Sequence, residues 1–456
     1  MNNTANFGEG SVSKHILKLA IPMTMAQLIN LLYNMIDRIY IGRIPQTGTL
    51  ALTGLGLCFP IIMIVTAFTN LFSIGGTPLF SMERGRGNDE EAGNIMGNAF
   101  VMMIIVALFL TVIGITFHKP ILYLFGTSDA TYPFASAYII IYLLGNIFVM
   151  TSLGMNSFIN AQGFAKIGML TSLFGAGVNI ILDPFFIFYL NMGVKGAATA
   201  TIISQFLSSI WVLHFLTSKK ALIKLTKETM KLKLNRIKKI IGLGMSGFIM
   251  AVTNSTVQVV CNATIQVYGG DLYVGVMTIL NSIREIFTLP VMGLTDGAGP
   301  ILSYNYGAKK YDRLKKAIKF MCITCILYTF IAWFVVIEFP DIFIKIFNHD
   351  PNLISKSIPA IEIYFFGFFM MALQFAGQKV FVSLGKSKHA VFFSIFRKVI
   401  IVVPLTIILP KFFSYHVNGV FWAEPISNFI GGAACFITML LTVLPEIKKN
   451  EIKDIN

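Results

Sequence analysis

The sequence predicts an all-α membrane protein: twelve transmembrane helices in two pseudo-symmetric six-helix bundles. Two observations carry that prediction. Apolar residues make up 55% of the chain and charged residues only 12%, with a mean hydropathy of +0.74; a soluble protein carries about 25% charged residues. The chain is also written twice. Gly75-x-x-Pro78-Leu79-Phe80-Ser81-Met82-x-x-Gly85 returns as Gly297-x-x-Pro300-Ile301-Leu302-Ser303-Tyr304-x-x-Gly307, shifted by 222 residues. The same shift carries Ala161-Gln162-Gly163-x-x-Lys166 onto Ser383-Leu384-Gly385-x-x-Lys388, and Ser172 onto Ser394. One residue more carries Gly196 onto Gly419, Ala200 onto Ala423 and Ser204 onto Ser427. Duplicated membrane halves are the usual build of secondary transporters.

Runs of about 20 apolar residues suffice to cross a bilayer as helices. In the first half they fall at roughly 15–41, 52–80, 94–117, 134–157, 166–189 and 195–216. In the second half they fall at roughly 240–267, 273–300, 317–338, 358–381, 390–410 and 418–444. A β-barrel would alternate polar and apolar residues, and these runs do not. The first run is too long for the core of a signal peptide and has no small-residue cleavage site after it. Residues 1–216 and 240–456 are therefore read as the two bundles. Residues 217–239, rich in lysine, form the linker and read as a solvated, lipid-facing connector. An even number of spans per half brings both copies in from the same side, with the symmetry axis along the membrane normal.

The net charge of +15 sits in short loops and the linker. Lys14, Lys18, Arg84, Arg86, Lys166, Lys309 to Lys319, Lys386 to Lys388 and Lys448 to Lys453 mark one side. By the positive-inside rule that side is cytoplasmic, which places both termini there in a plasma (inner) membrane. The rule accounts for the basic balance, and no nucleic-acid-binding motif competes with it. The five cysteines lie in apolar segments. Cys322-x-x-Cys325 has redox or zinc spacing but lies inside a span with no second ligand pair, so helix packing is its expected role.

Acids at bilayer depth cost about 2.5–3.5 kcal/mol each on insertion scales, so each needs a reason. Asp37 ends a polar stripe on the first span that runs through Gln27, Asn30 and Asn34. Asp183 on the fifth span shares a helix face with Ser172, Ala176 and Asn179. Thr201 lies on the sixth span with Ser204, Gln205 and Ser208 near its face. Counting from Arg43 and Lys195 places all three in the outer half of the membrane. Two carboxylates, an amide oxygen and a hydroxyl at one depth suit a sodium ion. They equally suit a proton, because two neighbouring carboxylates cannot both stay ionised without a counter-charge. The competing reading pairs Asp37 with Arg38 and leaves Asp183 capping hydrogen bonds above Pro184.

The second half is not a copy here. Asp37 corresponds to a position near Cys261 or Val259, and Asp183 to Leu405. The seventh span offers Asn254 and Gln258 but no acid. On the eighth span, Asn281 and Glu285 are candidates to line a cavity, and a structural pairing of Arg284 with Glu424 or Asp296 is an equal alternative. Pro22 interrupts the first span about four turns before Asp37 and marks a candidate hinge.

The twelve spans, the paired Gly-Pro-Ser-Gly motifs, Asn305-Tyr306-Gly307-Ala308-Lys309 and Asn179-Ile180-Ile181-Leu182-Asp183-Pro184 together resemble the multidrug and toxic compound extrusion family, over roughly residues 12–445. The resemblance implies two six-helix bundles around a central cavity and efflux of organic, often cationic and amphipathic compounds in exchange for sodium or protons. Asp37, Asn179, Asp183 and Thr201 match the cation-site positions of its DinF-like branch, and Pro22 the proline about which relatives bend the first helix. The seventh-span Glu of the NorM-like branch is missing. The expected activity is thus a cation-coupled antiporter, with no enzymatic step and no cofactor beyond the coupling ion, H+ or Na+. Its partners are organic cargo and the bilayer, without nucleic acid, and a monomer is expected. The alternative is a lipid-linked saccharide flippase of the same superfamily, which calls for a basic cavity where the first half looks acidic. No H-E-x-x-H, G-x-S-x-G or P-loop supports an enzyme or a direct ATP drive.

Overall fold

The computed structural model describes residues 6–347 and 350–455. Among these every regular element is helical. A segment in lipid must satisfy its own backbone hydrogen bonds, and an apolar run of this length does so only as a helix. The first half consists of α1 (Val12–Gly42), α2 (Gly48–Gly85), α3 (Asp89–Thr116), α4 (Tyr132–Leu144 and Asn146–Ala161), α5 (Ala165–Tyr189) and α6 (Val194–Thr217). The long helix Leu234–Gly307 breaks at Gly270, whose φ of 63° glycine tolerates without strain. Its two parts are α7 (234–269) and α8 (271–307). Then follow α9 (Tyr311–Glu338), α10 (Pro351–Tyr364 and Phe368–Ser383), α11 (Ser387–Phe412) and α12 (His416–Asp454). These are the twelve predicted spans in the predicted order.

The repeat reaches into local geometry. α4 bends by 58° around Gly145, and α10 bends by 47° around Gly367. The shift that relates the motifs also relates these two glycines, and it relates the short helices His118–Leu124 and Pro340–Phe347 that precede the bent pairs. Arg84 Nη1 donates to the Ala161 carbonyl at 2.9 Å, and Ser303 Oγ donates to the Ser383 carbonyl at 2.7 Å. The repeat keeps the acceptor and changes the donor.

Two compact units emerge: Ile21–Phe248 together with Asn6, and Phe7–Ala20 with the described residues from Ile249 onward. The start of α1 therefore belongs to the second unit and the start of α7 to the first. Glycines explain how each is held. In the first unit a Cβ on Gly75 would lie 2.1 Å from the Ile240 carbonyl oxygen, and one on Gly244 would lie 1.7 Å from that of Leu71. α2 and α7 thus touch backbone to backbone. In the second unit a Cβ on Gly297 would lie 2.6 Å from Ala20 N, so α8 meets the start of α1 at the repeat-related glycine. The same N-terminal stretch is strapped down by Asn305, Lys310 and Arg313, which donate to the carbonyls of Phe7, Gly8, Glu9 and Gly10.

The core of the first unit gathers Phe72, Phe80, Met96, Met103 and Phe158, with Phe80 and Phe158 edge to face at 5.6 Å. The second unit buries Leu280, Ile361, Phe365 and Phe421. Large exposed apolar side chains such as Leu108, Phe109 and Val112 on α3, and Leu327, Phe330 and Phe334 on α9, suit contact with lipid chains.

The linker departs from the solvated connector expected for it. Ala221, Ile223 and Leu225 are buried. Gln162 Oε1 accepts from the backbone N–H groups of Leu222 and Ile223, while Asn98 brackets the end of the segment through Lys231 O and Lys233 N. Arg236 forks onto both Glu91 oxygens. Short apolar side chains between the lysines anchor the segment to the first unit, a pattern masked in the sequence by its charge.

Candidate functional site

α1, α5 and α6 each bring one part of a buried polar cluster in the first unit. Asp37, Asn179, Asp183 and Thr201 are all buried, Asp183 completely. The Asp37 and Asp183 carboxyls lie within hydrogen-bonding reach of each other. Asn179 Nδ2 donates to Asp183 Oδ1 at 3.3 Å and reaches Thr201 Oγ1 at 3.5 Å. The helix spacing explains the geometry: Asn179 sits one turn before Asp183 on the same face. Asp37 Oδ1, Asp183 Oδ2 and Asn179 Oδ1 are buried with no hydrogen-bond donor. Three buried oxygens of one polar cluster thus lack the donors that buried acceptors ordinarily have.

The pairing of Asp37 with Arg38 is not made. Arg38 is exposed, with its guanidinium 5.2 Å from the centre of the Phe59 ring. Immediately after Asp183 and Pro184, α5 winds through a π-helical turn, Phe185–Tyr189. Such turns recur at functional sites.

A cavity of about 30 Å³ opens in the same unit, lined by Asn30, Tyr33, Ser152, Asn156, Gln205 and Ser208 among others. That volume holds one or two waters. Ala176 of α5 and Ser204 of α6 also line the cavity, each within one turn of Asn179 or Thr201, so it adjoins the acid pair. Ser152 donates to Gln205. Of the predicted stripe on α1, Asn30 lines this cavity, Gln27 is half-buried and Asn34 is exposed. Tyr33 and Ser152 escaped the sequence reading because neither carries a charge and each has polar neighbours that face elsewhere.

In the second unit Asn254, Gln258 and Glu285 are exposed, and Asn281 accepts from the Tyr364 hydroxyl at 3.0 Å. Arg284 pairs with Glu424 at 2.9 Å, whereas Asp296 takes Lys379. Glu424 also binds Arg397 and Lys398 of α11. Those two charges stand inside a predicted span and were the signal available for them. The match of Asp183 to Leu405 shifts by one residue. Cys261 Sγ lies 3.6 Å from Thr406 Oγ1, so Thr406 takes the place opposite the α7 counterpart of Asp37. The π-helical segment Phe396–Val402 precedes it in α11 and takes up an additional residue per turn. The five cysteines are free and buried, as packing residues are.

Two related six-helix halves with a buried acid pair inside apolar helices define a membrane transporter. The pattern of the MatE family matches residues 22–185 and 247–408, and the chain belongs to that family of membrane transporters. The multidrug export protein MepA of Staphylococcus haemolyticus (strain JCSC1435) is 23% identical over 435 residues, covering 95% of this chain and 94% of its own. A solved structure described as the outward-facing conformation of a multidrug resistance MATE family transporter of the MOP superfamily superimposes with a TM-score of 0.92. It is 20% identical and covers 98% of this chain and 99% of its own. Another, described as MATE in the bent conformation, gives a TM-score of 0.93 at 20% identity over 99% of this chain and 100% of its own.

Proposed function

We propose that this chain is an antiporter that exports small organic compounds, cationic and amphipathic in character, in exchange for protons or sodium ions. The observation that carries the coupling is the set of donor-less buried oxygens on Asp37, Asn179 and Asp183. The similarity to MepA supports export of drug-like compounds. Two carboxyls in contact repel unless a proton or a metal cation lies between them. A proton would bridge Asp37 and Asp183. A sodium ion would use the same oxygens with Asn179 and Thr201 as neutral ligands. Either cation removes the repulsion and holds α1 against α5 and α6. Without it the acids separate or draw in a cationic compound.

Coupling then needs cation and cargo to favour different states or to exclude each other. Pro22 lies on α1 between the stretch grouped with the second unit and the stretch carrying Asp37. It leaves one backbone carbonyl without its helical donor, and a bend there moves Asp37 relative to α5. The chain acts in the plasma membrane with both termini cytoplasmic.

Purified protein in liposomes loaded with a fluorescent organic cation provides the test, with sodium and pH gradients imposed separately. Acceleration of efflux by one gradient supports the reading and names the ion. Efflux indifferent to both gradients overturns it.

A further inference from the structure

The second unit holds a charge cluster that no part of the coupling reading uses. Glu424 Oε1 is shared by Arg284 at 2.9 Å, Arg397 at 2.6 Å and Lys398 at 3.3 Å. Arg397 and Glu424 are buried, at 5% and 6% exposure, and the Lys398 side chain is 11% exposed. Three cations therefore converge on one carboxylate inside apolar helices. Glu285 follows Arg284 in sequence but is exposed, and counting it still leaves the balance positive. An uncompensated positive charge in an apolar surrounding is costly unless an anion joins it. Two details point to a further acceptor. Arg397 Nε is buried with no hydrogen-bond partner. Asn428 already takes an Arg397 donor as a neutral acceptor, so the site draws on amide oxygen as well as carboxylate.

The place of the cluster in the repeat is informative. The 222-residue shift carries Gly175 and Ala176, which line the cavity beside the acid pair, onto Arg397 and Lys398. The shift that relates Ser204 to Ser427 carries Thr201 onto Glu424. A Cβ on Gly175 would meet Ser208, and one on Gly431 would meet Arg397, so related helix faces touch in both units. π-helical turns occur beside both sites: Phe185–Tyr189 in the first, Phe396–Val402 and Asn428–Gly432 in the second. The second half therefore sets a basic cluster on the helix faces related to the first-half cavity, with Arg397 and Lys398 where that cavity has Gly175 and Ala176.

We infer that Arg284, Arg397 and Lys398 form a binding site for one oxyanion, a phosphate or carboxylate group, for which Glu424 is the internal competitor. Arg284, with a side chain 30% exposed, is the entry-side ligand. A guanidinium pair with an ammonium suits such a group: the forks match two oxygens, and the lysine takes a third where the group is a phosphate. The oxyanion arrives either as an anionic phospholipid headgroup or as a soluble anion.

The test uses the full chain in phosphatidylcholine nanodiscs. One arm adds phosphatidylglycerol to the disc lipid, the other adds inorganic phosphate to the buffer, and thermal stability is followed against concentration. Saturable stabilisation by phosphatidylglycerol alone assigns a lipid headgroup, and stabilisation by phosphate assigns a soluble anion. Arg284→Gln and Lys398→Gln each weaken the apparent affinity tenfold or more. Glu424→Gln strengthens it at least threefold; if that variant is less stable, the anion restores its melting temperature. A cluster that serves packing alone gives no saturable response to either probe, or equal affinity in wild type, Arg284→Gln and Lys398→Gln, and either result overturns the proposal. Asp37→Asn leaves this binding intact, so failure of the coupling reading is read separately.

Discussion

Asp37 and Asp183 each keep a buried oxygen to which no donor is directed, while Asn179 spends its amide hydrogens on Asp183 and Thr201. Asp37→Asn and Asp183→Asn are expected to abolish gradient-driven efflux while leaving the protein folded and inserted, checked by liposome efflux beside size-exclusion profiles. Undiminished transport in both variants removes the site. Asn179→Ala and Thr201→Ala each delete one neutral contact. The loss is about 0.5–1.5 kcal/mol, at most about tenfold in apparent cation affinity. Under a sodium drive these variants shift the sodium dependence of efflux, and under a proton drive they shift its pH profile. The acids were legible in the sequence because a carboxylate in an apolar run stands out. Tyr33 and Gln205 were not singled out as site residues. Uncharged polar side chains are common in such runs, and only the meeting of α1, α4, α5 and α6 around one cavity selects these two.

At the scale of the helix, glycine and proline set where elements approach and where they yield. Gly75→Ala and Gly244→Ala place a methyl group within 2.1 Å of Ile240 O and 1.7 Å of Leu71 O, whereas a Cβ on Gly177 meets nothing within 4 Å. Overpacking of this kind costs about 1–3 kcal/mol. Thermal unfolding in detergent should show lowered melting temperatures for the first two variants and none for Gly177→Ala; equal behaviour of all three would contradict the close approach of α2 and α7. Pro22→Ala restores the missing α1 hydrogen bond. It is expected to slow turnover more than it weakens cargo binding, measured as efflux rate against equilibrium dye binding. Normal turnover would remove the hinge. Helix limits were legible because length and hydropathy are linear properties. The packed linker was not, since its three buried residues are scattered among lysines.

For the molecule as a whole, the charge of the loops sets how it enters the bilayer. Lys219→Cys is expected to react with a membrane-impermeant thiol reagent from the cytoplasmic side only. The background is low, because all five native cysteines are buried. Labelling from outside would invert the proposed topology. The sequence by itself determined the twelve helices, their duplication and the acids on α1 and α5. Each follows from what a stretch of chain must do in lipid regardless of its neighbours. The tertiary structure decided which polar groups meet. It set Thr406 rather than Leu405 opposite Cys261, left the Asp37 and Asp183 oxygens without donors, and gathered Arg284, Arg397 and Lys398 on Glu424. The reason is rotational: with 3.6 residues per turn, one inserted residue turns every later side chain by about 100°. The composition of a helix is therefore readable from its residues, while the face it presents depends on the helices packed around it.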